Sequence, residues 1–305
     1  MIRLGKYQKS VENQYWECVN KIIPIVKQNA IVSSSNKFLP SDFFSHNPCF
    51  KELVLAPYDK IQKAFEYIEK NPNAMKQECF LPVNSTNRKP LYETLYTAYD
   101  KVFQRIVDKT KMNVMLVKNT GLTVCPYCNR DYINCRSDTL TGAQLDHFYP
   151  RSCYPVFSVC LYNLVPVCGN CNRIKGKDPK GFISPFDEKI DWNNEIRFSY
   201  KLIDADKKKI IINAQPLVKH NIDAMQIEGA YQIHDLEVEE LLHKSKMYSR
   251  TQCEEFSELF AKVGLTEQEI KQMVFGPIIT EEDMKKKPLG RMLRDLEREL
   301  DIYNL

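Results

Sequence analysis

Two Cys-x-x-Cys pairs, CPYC at 125–128 and CGNC at 168–171, restrict what this chain can fold into more than any other feature. Each such turn folds back until both sulfurs converge, and two turns together supply four thiolates to one tetrahedral ion. Cys125, Cys128, Cys168 and Cys171 are therefore the expected ligands of a zinc ion. With every position taken by sulfur, that ion has no place for a substrate and is expected to be structural. Binding of structural zinc, worth about 10–16 kcal/mol in small peptides, is enough to fold a short loop-rich segment.

The chain has 11 cysteines, an odd number, and opens on MIRLGKYQKS, which has no apolar signal-peptide core. Disulfides are not expected; a reducing cytoplasm is. Cys18, Cys49, Cys79, Cys153 and Cys253 lack paired spacing and read as small buried hydrophobes, and Cys135 and Cys160 as structural. No apolar run approaches the length of a membrane span.

The net charge of +4 is concentrated around the cysteines. Between Gly121 and Gly181 lie seven basic residues (Arg130, Arg136, Arg151, Arg173, Lys175, Lys177, Lys180) against four acids (Asp131, Asp138, Asp146, Asp178), which is +3 of the +4. A local basic surface suits a polyanion, although charge alone describes a solvated loop equally well.

Along the chain, residues 1–117 read as a helical region, 118–190 as a metal-bound module, and 191–305 as a β-hairpin followed by helices. Tyr7, Val11, Tyr15, Cys18 and Ile22 recur at helical spacing until Pro24 interrupts them. Leu91, Leu95, Tyr99, Val102 and Ile106 mark a second helix with Pro90 in its first turn. Tyr92, Tyr96 and Phe103 widen that stripe, which reads as core and is assigned no chemistry. SSSN (33–36) and NSTN (84–87) read as loops. Ile196, Phe198, Tyr200 and Leu202 alternate before the turn formers DADKKK, and Ile210 to Ile212 return as the second strand. A helix is expected from about 236 to 262, another after the N-cap Thr266 with Glu269 three residues later, and a last one from Pro288 to about Tyr303. The fold class is thus α+β: a mainly helical chain around a central zinc-stabilised module, with a short β-hairpin after it.

Thirty-nine residues separate Cys128 from Cys168, where a plain zinc ribbon has about 15–20. That interval holds Asp146, His147 and Asn163, and Asn172 follows the last cysteine. The motifs CPYC, LDHFYPRS, YNLVPVC and CGNCNRIKGK together resemble the HNH, or ββα-metal, endonuclease family over residues 121–182, about a fifth of the chain.

The resemblance implies metal-dependent hydrolysis of phosphodiester bonds. His147 would be the general base, Asp146 and Asn172 the ligands of a catalytic Mg²⁺ or Mn²⁺, and Asn163 the residue that fixes the hairpin and orients His147. Arg173, Lys175 and Lys177 would contact phosphates. The third letter of the family motif is commonly histidine; here it is Asn172, a departure that bears on which ion is preferred. More loosely, the combination of this motif set with large helical flanks looks like the HNH effectors of bacterial anti-phage systems of the Septu and Septu-like retron type. That likeness implies a cytoplasmic antiviral protein paired with an ATPase, acting on nucleic acid, with DNA ahead of RNA and tRNA also to be assayed, and with no membrane role. Two other readings stay open: a zinc-stabilised nucleic-acid-binding subunit without catalysis, and a stand-alone restriction or homing-type nuclease.

Overall fold

The computed structural model of the chain describes all residues except 83–85, 205–206, 249, 261–263 and 304–305. It is a mixed α/β structure, about half helical with small two-stranded sheets. It divides into two compact units: Arg3–Tyr127 with Asp131–Ile190, and Asp191–Leu305 with Met1–Ile2 and Cys128–Arg130.

The first unit begins with α1 (Lys9–Ile22) and α2 (Ile25–Ser35), separated by Pro24, which caps the second helix. Tyr7, Val11, Tyr15 and Cys18 are buried, as their spacing predicts. Ser33 to Ser35, expected to lie in a loop, instead form the last turn of α2. Ser35 is buried there, its hydroxyl 3.3 Å from that of Tyr92, so tertiary packing overrides the weak helix preference of the serine run. Short helices α3 (Phe50–Val54), α4 (Tyr58–Lys70) and α5 (Pro72–Cys79) follow. The NSTN stretch lies partly outside the described residues.

Helix α6 (Pro90–Gln104) has Pro90 at its first position and buries Tyr92, Leu95, Ala98, Val102 and Phe103. Ile106, expected on its core stripe, lies beyond the helix and is exposed. It belongs to the two-residue strand β1 (Ile106–Val107), which pairs with β2 (Thr110–Lys111) through a tight turn at Asp108 and Lys109. Helix α7 (Met112–Asn119) leads into the first cysteine pair.

The centre of this unit is a strand–strand–helix arrangement. Strands β3 (Gln144–His147) and β4 (Leu164–Val167) run antiparallel, with Asp146 opposite Val165 and His147 opposite Leu164. All four residues of β4 are buried, and the chain passes directly from it into α8 (Gly169–Lys175). Gly176 ends the helix with φ +66°, the left-handed conformation that glycine adopts without steric penalty.

In the second unit, α9 (Trp192–Glu195) precedes an antiparallel hairpin of β5 (Ile196–Asp204) and β6 (Lys207–Ala214). The core of its DADKKK turn, residues 205–206, lies outside the described residues. Helices α10 (Pro216–Ala224) and α11 (Ile227–Tyr231) follow. The single helix expected over 236–262 is two, α12 (Asp235–Met247) and α13 (Arg250–Phe260), because Tyr248 leaves helical geometry at φ −123°, ψ 69°; residues 261–262 lie outside the described part. α14 (Glu267–Phe275) carries the predicted capping box of Thr266 and Glu269, and α15 (Glu281–Met284) has a second one from Thr280 and Asp283. The last helix, α16 (Gly290–Glu299), is shorter than predicted. It packs on β5, where Asp295 accepts the Phe198 backbone N–H at 3.0 Å. The buried Arg291 guanidinium donates to the carbonyls of Met1, Trp192 and Ile196. Asn129 belongs to this unit: its amide donates to the Met284 carbonyl and accepts the Arg291 N–H.

Cys18, Cys79 and Cys253 are buried, but Cys49 and Cys153 are exposed, so two of the five cysteines expected in the core are not there. Among the described residues no helix is long and apolar enough to cross a membrane.

Candidate functional site

The four paired cysteines converge. Their ligand atoms all lie within 4.8 Å of one another and all four side chains are buried, a cluster able to hold a metal ion. Four sulfurs about 2.3 Å from a shared tetrahedral ion would be about 3.8 Å apart. The local fold explains the convergence. Cys125 N–H donates to Asp131 O and Ile133 N–H to Thr123 O, closing a small loop around the first pair, and Asn129 turns it with φ 52°. Cys168 caps the N-terminus of α8 and its sulfur accepts the Cys171 N–H at 3.4 Å. The Cys168 N–H in turn donates to the Cys125 sulfur at 3.3 Å, and the Arg130 N–H to the Cys128 sulfur at 3.4 Å.

Next to the cluster, β3 presents Asp146 and His147. The imidazole Nε2 of His147 lies 3.0 Å from the Ser158 carbonyl oxygen. A carbonyl only accepts, so Nε2 carries the hydrogen and Nδ1 keeps the lone pair. Burial pushes the His147 pKa down to about 3; the Ser158 bond opposes this, and the charges of Arg151 and Lys175 add to it. The ring is therefore neutral at physiological pH, with one nitrogen able to take a proton.

Asn163 sits in a 3-10 turn before β4 and is fully buried. Its Oδ1 accepts the Tyr149 N–H at 2.8 Å, and its Nδ2 donates to the carbonyls of Tyr149 and Phe157 at 3.0 and 3.1 Å. Its own carbonyl accepts the Phe148 N–H at 2.8 Å. These bonds hold the segment that follows His147 against the one that carries Ser158.

Asp146 is buried, with both oxygens engaged. Oδ2 accepts the Tyr127 hydroxyl at 2.7 Å and lies 3.1 Å from the Lys175 ammonium, which is 3.5 Å from Oδ1. This corrects the expectation that Lys175 contacts phosphate. Its side chain is 0% exposed, and it also donates to the Phe148 carbonyl at 3.0 Å, so it presents no charge to solvent. Arg173 is exposed but does not line the pocket beside His147, whereas Lys177 does. Asn172 also lines that pocket, and its Nδ2 donates to Gln144 Oε1 at 2.7 Å, leaving its carbonyl oxygen as the atom for an ion. Asp146 and Asn172 both line this cavity and carry hard oxygen atoms, with Lys175 already seated on the carboxylate.

The pocket measures about 530 Å³. Residues of β3, Asn172 and Lys177 form one wall, and α6 supplies the other through Tyr96, Tyr99, Asp100 and Phe103. The Tyr99 ring lies 4.3 Å from that of His147. Arg151 bridges the two walls: its guanidinium stacks 4.3 Å from the Tyr96 ring and 4.5 Å from the Tyr99 ring, donates to Tyr96 O at 2.8 Å and pairs with Asp100. Neither Arg151 nor α6 was singled out from the sequence as part of a site. No sequence signal marks them, since Asp100 is an exposed polar residue of the kind any amphipathic helix carries.

Compared with known proteins, the chain matches no protein-family model, no curated protein and no solved structure.

Proposed function

We propose that this chain is a metal-dependent HNH endonuclease that hydrolyses phosphodiester bonds in nucleic acid. The supporting observation is His147: a neutral imidazole on the first strand of a strand–strand–helix unit, its Nε2 tied to Ser158 O and its ring at a polar pocket. The adjoining four-cysteine cluster suits structural zinc, the metal that four thiolates favour. In this reading Nδ1 of His147 accepts the proton of the attacking water, and Asn163 holds the ring's supporting carbonyl in place. A ring whose protonation is suppressed by burial gains basicity when a phosphate anion enters beside it, since opposite charge favours the imidazolium. Arg151 and Lys177 hold the phosphate at the pocket wall. A divalent ion held by Asp146 and Asn172 would supply Lewis-acid neutralisation of the charge that develops on the phosphorane.

A cytoplasmic role as the nuclease of an anti-phage system, with an ATPase partner, is the physiological setting we propose on the looser likeness of its motif set. A second reading, binding of nucleic acid without catalysis, is favoured by one observation: the Asp146 carboxylate is already neutralised by Lys175. The deciding experiment is cleavage of plasmid, single-stranded DNA and tRNA with Mg²⁺ or Mn²⁺, with and without an ATPase encoded beside the gene, against His147→Ala. The endonuclease reading expects activity that falls by about 10²–10⁴-fold in the variant while nucleic-acid binding persists. Binding without cleavage under every condition would leave the second reading standing.

A further inference from the structure

We infer that Lys175 is a resident cation that competes with a divalent ion for Asp146, so that an ion bound there expels the Lys175 ammonium from its buried seat. The inference rests on the assignment of Asp146 as an ion ligand, and on no other part of the proposed function.

The seat is fully built. The Lys175 side chain is 0% exposed, its Nζ lies 3.1 Å from Asp146 Oδ2, and it donates to the Phe148 carbonyl at 3.0 Å. The ammonium also lies over the ring of Phe148 at 5.1 Å and that of Phe182 at 5.9 Å. Tyr127 occupies the same carboxylate oxygen from the other side. Asp146 is therefore already charge-compensated where little water reaches it. A divalent ion on either oxygen would stand beside an ammonium with few competing solvent dipoles, and like charges so placed repel strongly. Both cannot be held at full strength.

The lysine has a way out. It is the last residue of α8, where helices fray, and the next residue, Gly176, has left-handed backbone geometry and lines the pocket with Lys177. Four rotatable carbons let the head swing toward that opening while the helix stays in place. A monovalent ion offers no charge advantage over the ammonium it would replace, whereas a divalent ion does. Lys175 thereby sets which ions can occupy Asp146 and how tightly.

The test measures Mn²⁺ binding by electron paramagnetic resonance on the full chain with its cysteine site loaded. It compares wild type, Lys175→Met and Asp146→Asn. We expect Lys175→Met to bind Mn²⁺ at least about tenfold more tightly than wild type, and Asp146→Asn to lose that site. In parallel, wild-type protein is treated with an amine-reactive label and read by mass spectrometry. Lys175 should be protected without Mn²⁺ and modified with it. Equal or weaker Mn²⁺ binding by a folded Lys175→Met overturns the inference, as does Mn²⁺ binding indifferent to Asp146→Asn, or continued protection of Lys175 at saturating Mn²⁺. If Lys175→Met does not fold, because Asp146 is left unpaired, the labelling of wild type decides alone. Absence of nucleic-acid cleavage would count against the nuclease reading and leave this result untouched.

Discussion

The Tyr99 ring packs 4.3 Å from the His147 ring at an interplanar angle of 53°, placing a residue of α6 in direct contact with the histidine of β3. Tyr99 also donates its hydroxyl to the Leu145 carbonyl at 3.3 Å, two residues earlier on the same strand. The imidazole is thus held on two sides, by Ser158 at Nε2 and by an aromatic ring across its plane. Removing the ring opens space into which the histidine can turn. We expect Tyr99→Ala to lower turnover on the order of 10²-fold, the scale of an ångström's misplacement, while Tyr99→Phe keeps most of the rate. Single-turnover rates for the two variants check this. Equal losses would move the role from the ring to the hydroxyl.

The cysteine cluster makes a separate prediction, about folding rather than rate. Each sulfur is one of four donors within 4.8 Å, and no other group of three or more metal-binding side chains lies so close among the described residues. Cys168 does double duty, because its sulfur also caps α8 through the Cys171 N–H. Cys168→Ser should therefore release the bound metal and loosen both α8 and the loop at residues 123–133. Elemental analysis gives the metal content, and amide exchange across those segments gives the loss of protection. A metal-free wild-type protein with the same protection would remove the ion from the account.

What could be read from the sequence was what local spacing encodes. Cys-x-x-Cys is a turn wherever it folds, strict alternation from Ile196 to Leu202 is a strand, and Thr266 with Glu269 closes a cap within one helical turn. Asn163 is marked only by the motif resemblance, and no local spacing points to it. What could not be read was brought together by packing. Lys175 and Asp146 are both charged residues in a basic stretch, and nothing in the string says that they bury each other. Arg151 counts as one more surface charge until α6 supplies Tyr96 and Tyr99 to stack against it. The spacing of Tyr92, Tyr96 and Phe103 reads as core, and helical periodicity alone does not distinguish a core face from a pocket wall. Ser33 to Ser35 followed tertiary contacts against their own preference.

A pH-dependent stability is built into the second unit. Glu297 on α16 is buried, its Oε2 has no hydrogen-bond partner among the described residues, and burial pushes its carboxyl up to about 7, the charge of Lys287 opposing this only in part. Between the unfolded value of 4.5 and about 7 the folded chain keeps a proton that the unfolded chain has released. The contribution is complete below the unfolded value and is lost as pH rises through 7, so raising the pH weakens the fold. Glu297→Gln should flatten the slope, gaining roughly 1–3 kcal/mol over wild type at pH 8 and little at pH 4. Denaturant midpoints measured from pH 4 to 8 read this out, and a wild-type curve that rises over that window would rule out Glu297 as its source.

The pocket's basic residues separate phosphate contact from mere positive charge. Arg151 and Lys177 line the pocket beside His147, Arg173 is exposed outside it, and Lys175 is sealed on Asp146. A phosphate contact releases counterions, so losing one should weaken binding on every sequence alike and reduce the salt slope by about one unit. Arg151 is also fixed by two tyrosine rings and by Asp100, which lowers the entropy lost when it grips a phosphate. We therefore expect Arg151→Ala to reduce both affinity and turnover, and Lys177→Ala to reduce chiefly affinity. Arg173→Ala should change the salt slope least of the three exchanges. The measurement is binding of a labelled oligonucleotide over a salt series, joined to single-turnover cleavage for each variant. A slope lowered by Arg173→Ala and untouched by Arg151→Ala would place the bound backbone along the outer face of α8, outside the pocket that holds His147.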